Sequence, residues 1–323
     1  MANETGLRAG RPLRVVVMRK PDDAQRARVA KAAPGAEVTY IADDSDLPAV
    51  IADADIVAGL VPERHLAGAA SLKWIHSWVA GPNEQLFPAL VDSKTVLTCS
   101  KSNGAIPLAE HAMMLMLMLN RQAMRWIDAQ REHRWDRFRH AELNGLTCGI
   151  IGTGHSGTDL ALKARAFHMR VIGLRRQDVP APAFDSMYAA QDLHAFLAES
   201  DFVVVTAPLT DETRDMLGEA EFRAMKPTAH YICFSRGGIA NDDALCRALE
   251  EGWIAGAGLD AHSEEPLPPD SPFWDLPNVI VTPHNGATTW ATFDRSFDIF
   301  VDNLARYVRG EPLVNVVDKQ AGY

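Results

Sequence analysis

The stretch Cys148-Gly149-Ile150-Ile151-Gly152-Thr153-Gly154-His155-Ser156-Gly157 decides the fold. Its apolar run reads as a buried strand, its glycines fall in GxGxxG spacing, and Leu160, Leu162, Ala164 and Phe167 follow in a helical pattern. Alone, three glycines are weak evidence, because any Gly-rich turn contains them. In strand-turn-helix order each glycine does something different. Gly152 allows the tight turn, Gly154 lets a pyrophosphate approach the backbone, and Gly157 lets the helix pack on the strand. The helix amino terminus, at His155 and Ser156, then faces the phosphates.

Working outward, residues 13–17, 38–41, 55–60, 72–78 and 96–99 read as strands separated by helical patterns, which implies a parallel sheet covered by helices. Pro107 opens a helix expected over 108–129, whose Met113, Met114, Met116 and Met118 read as core or interface packing. A second alternating series runs from 147 to 282. The last helical pattern, 288–309, carries Phe293, Phe297, Phe300 and Leu304 and is expected to return to the first sheet. The expected fold is therefore α/β, with two Rossmann-like or flavodoxin-like parallel-sheet domains, 106–288 being inserted between 1–105 and 289–323.

Four polar groups stand at or just beyond the ends of apolar runs in the second series. Arg236 follows Tyr231-Ile232-Cys233-Phe234, Asp260 and Glu265 follow Ile254-Ala255-Gly256-Ala257-Gly258-Leu259, and His284 follows Val279-Ile280-Val281-Thr282. Carboxyl ends of parallel strands form the ligand crevice, so a guanidinium, carboxylates and an imidazole there suggest proton transfer beside an anionic substrate. His76, His111 and His262 have no comparable setting, and His76 and His111 read as structural or interface residues. Trp78 and Trp290 read either as pocket lining or as packing.

Composition narrows the remaining classes. A net charge of -10 and the interleaving of Asp128, Glu132 and Asp136 among the arginines of 125–139 argue against a nucleic-acid partner. Cys99, Cys148, Cys233 and Cys246 show no CxxC spacing, so no metal site and no disulfide framework is expected, and a cytoplasmic location fits. Residues 1–12 read as a frayed start without a leader, and the longest apolar stretch, 112–119, is far too short for a bilayer, so no membrane partner is expected.

After the strand 170–174 stand Arg175 and Arg176, where an NAD-specific fold presents an acid to the adenine ribose. Guanidinium groups suit a ribose 2′-phosphate, so NADP(H) is expected to be preferred, with NAD(H) also accepted. Further segments extend the pattern: Ala207-Pro208-Leu209-Thr210-Asp211-Glu212-Thr213, Ser235-Arg236-Gly237-Gly238, Glu265-Pro266-Leu267-Pro268 and Thr282-Pro283-His284-Asn285-Gly286-Ala287-Thr288.

On these segments the chain resembles the D-isomer-specific 2-hydroxyacid dehydrogenase family, which includes glyoxylate/hydroxypyruvate reductases, phosphoglycerate dehydrogenase and formate dehydrogenase. The resemblance implies that Arg236 clamps the substrate, that His284 is the acid/base with Glu265 as its carboxylate partner, and that Asp260 contacts the nicotinamide carboxamide. It implies further cofactor contacts at Ala207, Pro208, Thr213, Phe234, Ser235, His284 and Gly286, and receipt of the substrate carboxylate by the amides of Val79, Ala80 and Gly81. The segments 1–105 and 289–323 become the substrate-binding domain, and 106–288 the NAD(P)-binding domain through which a homodimer forms. The expected activity is NADPH-preferring reduction of a 2-keto acid, such as glyoxylate or hydroxypyruvate, to the D-2-hydroxy acid. The alternatives are a formate- or phosphite-type dehydrogenase and a dinucleotide-sensing, corepressor-like binding protein.

Overall fold

The computed structural model describes residues 11–176 and 181–322, so the opening segment read as frayed lies outside the described residues up to residue 10. The chain forms two compact units, Met1–Asn103 with Thr289–Tyr323, and Gly104–Thr288.

In the first unit β1 (Arg14–Met18), β2 (Glu37–Ile41), β3 (Ile56–Ala58), β4 (Trp74–Ser77) and β5 (Val96–Cys99) form one sheet in the order β2-β1-β3-β4-β5. All of its pairings are parallel, and the order reverses direction between β1 and β3. Apart from the edge strand β2, the strands are mostly buried on both faces because both faces are covered. Val16, Val57, Ile75 and Leu97 enter one core, while Val15, Val17, Ile56 and Trp74 enter the other with Phe297, Phe300 and Leu304 of the helix Trp290–Arg309. That helix begins where the Thr289 hydroxyl accepts the Thr292 amide and ends at Gly310, whose φ of 72° suits glycine. Burying Phe297 and Phe300 contributes about 1.5–3 kcal/mol each, which fastens this late helix to the first strands of the chain.

The second unit holds β6 (Thr147–Ile151), β7 (Arg170–Leu174), β8 (Ser186–Tyr188), β9 (Phe202–Val205), β10 (His230–Cys233), β11 (Gly256–Leu259) and β12 (Val279–Val281). They form one sheet in the order β12-β11-β10-β9-β6-β7-β8, again with parallel pairings throughout. Alternate residues divide between the faces: Ile151, Val203, Val205 and Tyr231 enter one core, and Cys148, Ile150, Phe202, Val204 and Ile232 the other. The order reverses between β6 and β9, and at this kind of switch point the loops leaving two neighbouring strands diverge and open a ligand site.

The single helix expected over 108–129 is two helices, Ala105–Asn120 and Ala123–Arg131, separated at Gln122 with its φ of 50°. The first buries Ala109, Ala112, Met113, Leu115 and Met116 and follows the sheet, whereas the second buries only Ala129. Packing ends the first helix, since neither Gly nor Pro marks the break. Within the Met-rich face, Met113 and Met116 are core residues and Met114 is exposed. No helix among the described residues is long and apolar enough to cross a membrane.

A buried histidine and a half-buried one make the fold sensitive to acid. Burial lowers His76, on β4, from 6.5 to about 3, and lowers His230, stacked on Phe202 at the start of β10, to about 4. Below about pH 6.5 the unfolded chain binds a proton at each while the folded chain does not, so stability is lost as the pH falls. Chemical denaturation between pH 7 and pH 5 is expected to lose up to about 1.4 kcal/mol per pH unit for each histidine, and His76→Asn is expected to flatten the profile.

Candidate active site

The fingerprint turn joins β6 to the helix His155–Ala166. Gly152 has a φ of 95°, and a Cβ there would lie 2.7 Å from the Ala207 amide nitrogen. At Gly157 a Cβ would come within 2.2 Å of the Gly152 carbonyl oxygen, so strand and helix meet without side chains between them. Gly154 differs: it is exposed, and nothing lies within 4 Å of its ideal Cβ position. Beside it the Thr153 hydroxyl is buried without a hydrogen-bond partner. Open space over a helix amino terminus, with an unsatisfied hydroxyl at its edge, fits a dinucleotide pyrophosphate.

Thr206, at the end of β9, donates its hydroxyl to the Gly152 carbonyl and so holds the turn from the neighbouring strand. In the loop that follows, Thr213 Oγ1 donates to the Pro208 carbonyl at 2.8 Å and accepts from the Thr210 amide at 2.8 Å, which closes the 208–213 segment on itself. At the end of β7 the exposed Arg176 pairs with Glu212 of this segment at 2.8 Å, and the Arg175 amide donates to the Tyr188 carbonyl at 3.1 Å.

Beyond the adjacent ends of β10, β11 and β12 stand Arg236, Asp260 and His284. Asp260 is fully buried. Its Oδ1 accepts from the Thr282 hydroxyl at 2.6 Å and the Asn285 amide at 3.1 Å, and its Oδ2 from the Gly286 amide at 2.9 Å. A Cβ on Gly286 would lie 2.8 Å from Oδ2, so only glycine lets the turn close this tightly. His111, on the helix Ala105–Asn120, donates from Nε2 to the Thr282 hydroxyl at 3.0 Å and braces the same turn from behind.

The turn presents His284 at a φ of 51°, half-exposed, with Nδ1 2.7 and 2.9 Å from the two oxygens of Glu265. Glu265, not its neighbour Glu264, makes this contact. Burial pushes Glu265 upward, but the His262 amide and the His284 ring outweigh it and hold the carboxyl below its ordinary range. Phe234 is buried, and Ser235 follows it into the loop. The half-buried Arg236 spends one Nη1 donor on the Ser235 carbonyl at 2.7 Å. A guanidinium has five N–H donors, so most of the fork is left for an anion.

Val79, Ala80 and Gly81 belong to the other unit, in the loop after β4, with Val79 and Ala80 exposed. Ser100 shapes this loop: its amide donates to the Val79 carbonyl at 3.1 Å and its hydroxyl to the Ser77 carbonyl at 3.0 Å. The Trp78 ring turns inward against His76, Phe297 and Phe300, which assigns it to packing, while Trp290 is 88% exposed. Sequence reasoning missed Ser100, Thr206 and His262, because their contacts join segments far apart in the chain.

A family profile described as the NAD binding domain of the D-isomer specific 2-hydroxyacid dehydrogenases matches residues 113–286. A glyoxylate reductase of Korarchaeum cryptofilum is 36% identical over 223 residues, which are 66% of this chain and 66%, just under two thirds, of that protein. Glyoxylate/hydroxypyruvate reductase B of Pectobacterium carotovorum is 41% identical over 182 residues, 55% of this chain and 56% of that protein. Among solved structures, the NADPH-dependent glyoxylate/hydroxypyruvate reductase of Sinorhizobium meliloti, in complex with NADP and sulfate, superposes with a TM-score of 0.83 at 32% identity, covering 96% of this chain and 100% of that one. Fold, fingerprint and profile agree, and this chain belongs to the D-isomer specific 2-hydroxyacid dehydrogenase family.

Proposed function

We propose that the protein is an NADPH-preferring reductase of small 2-keto acids, of the glyoxylate or hydroxypyruvate kind, yielding the D-2-hydroxy acid. The observation that carries this reading is the hydrogen bond between Glu265 and His284 Nδ1, beside Arg236 at the carboxyl edge of a sheet that bears the dinucleotide fingerprint. The names of the relatives support the substrate class.

Bound along Gly152, Gly154, His155, Ser156 and Gly157, with Ala207, Pro208, Thr213, Phe234, Ser235, Asp260, His284 and Gly286 completing its site, NADPH would supply the hydride for the carbonyl carbon. Arg236 holds the substrate anion and draws charge onto the carbonyl oxygen. With Nδ1 engaged by Glu265, the nitrogen of His284 left to deliver a proton to that oxygen is Nε2. Glu265 steadies the charged imidazole before transfer and the Nδ1–H tautomer after it, and solvent restores the lost proton. Within the first unit, the loop of Val79, Ala80 and Gly81 is the segment whose backbone amides this reading assigns to a carboxylate.

The NADPH preference rests on Arg175 and Arg176. Glu212 competes for Arg176, but an exposed ion pair is worth only about 0–1 kcal/mol, so a dianionic 2′-phosphate can displace it. A homodimer in the cytoplasm belongs to the same reading, supported by the exposed Trp126, Trp135, Met114 and Met124 of the second unit. Sedimentation velocity is expected to give twice the chain mass, and a monomer would remove that part.

The first assay follows nicotinamide absorbance with NADPH and with NADH against glyoxylate, hydroxypyruvate and longer 2-keto acids. Turnover favouring NADPH is expected; tight NADPH binding without turnover on any acid would instead favour the sensor. His284→Ala is expected to lower kcat by about 10²–10⁴-fold with NADPH affinity nearly unchanged, and Arg236→Ala to damage KM for the acid as well as kcat. Substantial activity of His284→Ala at every pH would remove the acid/base role. Replacing Arg175 and Arg176 together by Ala is expected to raise the KM for NADPH by about tenfold or more while leaving that for NADH alone.

A further inference from the structure

A second histidine makes contacts that parallel those of His284. Glu265 Oε1 lies 2.9 Å from His284 Nδ1 and accepts from the His262 backbone amide, also at 2.9 Å. The Thr282 carbonyl accepts from the His284 backbone amide at 3.1 Å and from His262 Nε2 at 3.0 Å. A carbonyl can only accept, so Nε2 of His262 carries a proton. His262 thus grips both halves of the pair: its amide turns Glu265 toward His284, and its ring pins the strand end from which the His284 turn departs. The Arg236 loop leans on the same peptide, since a Cβ on Gly237 would lie 2.0 Å from the His262 carbonyl carbon. Asp242, in the first turn of the helix Asp242–Glu250, is close enough to interact electrostatically with His262.

We propose that His262 is a positioning residue for the reaction, its imidazole holding the Thr282 carbonyl and so setting the placement of His284 against Glu265. This rests on reading His284 and Glu265 as the acid/base pair. The amide contact to Glu265 survives any substitution except proline; the contact to Thr282 depends on the side chain. Glu265 and His284 are both half-exposed, so surrounding core does little to hold their separation, and a strut across the two segments supplies what packing does not.

Three substitutions test the role. His262→Phe keeps the ring volume without a donor, His262→Leu is a second donor-free variant should Phe disturb folding, and His262→Gln restores an N–H near the position of Nε2. With glyoxylate or hydroxypyruvate, the donor-free variants are expected to lower kcat by about three- to tenfold, with the KM for NADPH within about twofold of the parent. The isotope effect on kcat with 4-deuterated NADPH is expected to grow as the chemical step becomes more limiting, and His262→Gln to recover most of the loss. A purely structural role would lower the melting temperature and move neither the isotope effect nor the division between kcat and KM. Parental kcat in a folded donor-free variant, or an equal loss in the Gln and donor-free variants, would overturn the proposal. His284→Ala, assayed alongside, separates the two readings. If it keeps turnover, the acid/base reading fails and this inference falls with it; if it is inactive while His262→Phe matches the parent, only the inference about His262 fails.

Discussion

The candidate site depends on one buried carboxylate. Asp260 lies at the end of β11, fully removed from solvent, and an acidic side chain in that position is tolerated only when donors replace the lost water. The Thr282 hydroxyl and the amides of Asn285 and Gly286 are those donors, and all three belong to the turn leaving the next strand. Satisfying Asp260 therefore dictates the path of residues 282–286. His284 sits within that path in a left-handed conformation that costs a non-glycine residue of order 1–3 kcal/mol. Three hydrogen bonds to one buried group over-determine the turn and offset that strain.

Sheet geometry explains why these groups are neighbours at all. β10, β11 and β12 lie side by side and parallel, so the residues just past their carboxyl ends emerge along one edge. The fingerprint turn leaves β6 along the same edge of the same sheet, with β9 and its Thr206 between β6 and β10. The seven-stranded sheet thus presents the groups suited to a dinucleotide and those suited to proton transfer on a single frame. The order of elements is enough to bring the residues close, and the hydrogen bonds of Asp260, Glu265 and His262 then set their orientation.

Much of this frame was legible in the chain. The run Cys148-Gly149-Ile150-Ile151 announces a buried strand, and alternation with helical patterns announces parallel pairing. The near-helical spacing of Phe297, Phe300 and Leu304 foretold a helix, and all three side chains lie in a core of the first unit. Other features had no local signal. Gln122 breaks a helix that sequence pattern alone would continue, because burial ends at Asn120 and the chain turns away. The pairing of Arg176 with Glu212 joins positions 36 residues apart, and the inward turn of the Trp78 ring depends on a helix more than 200 residues later.

Residue order alone settles where most strands and helices lie, which glycines make a dinucleotide turn and which polar groups stand at strand ends, since each follows from side-chain periodicity or the local shape of a few residues. Only the folded chain decides that both oxygens of Glu265 face His284 Nδ1, that Asp260 holds the 282–286 turn, and that His262 bridges both segments. Hydrogen bonds reach about 3 Å and depend on direction, so they are determined by where distant segments come to rest, which no spacing along the chain records.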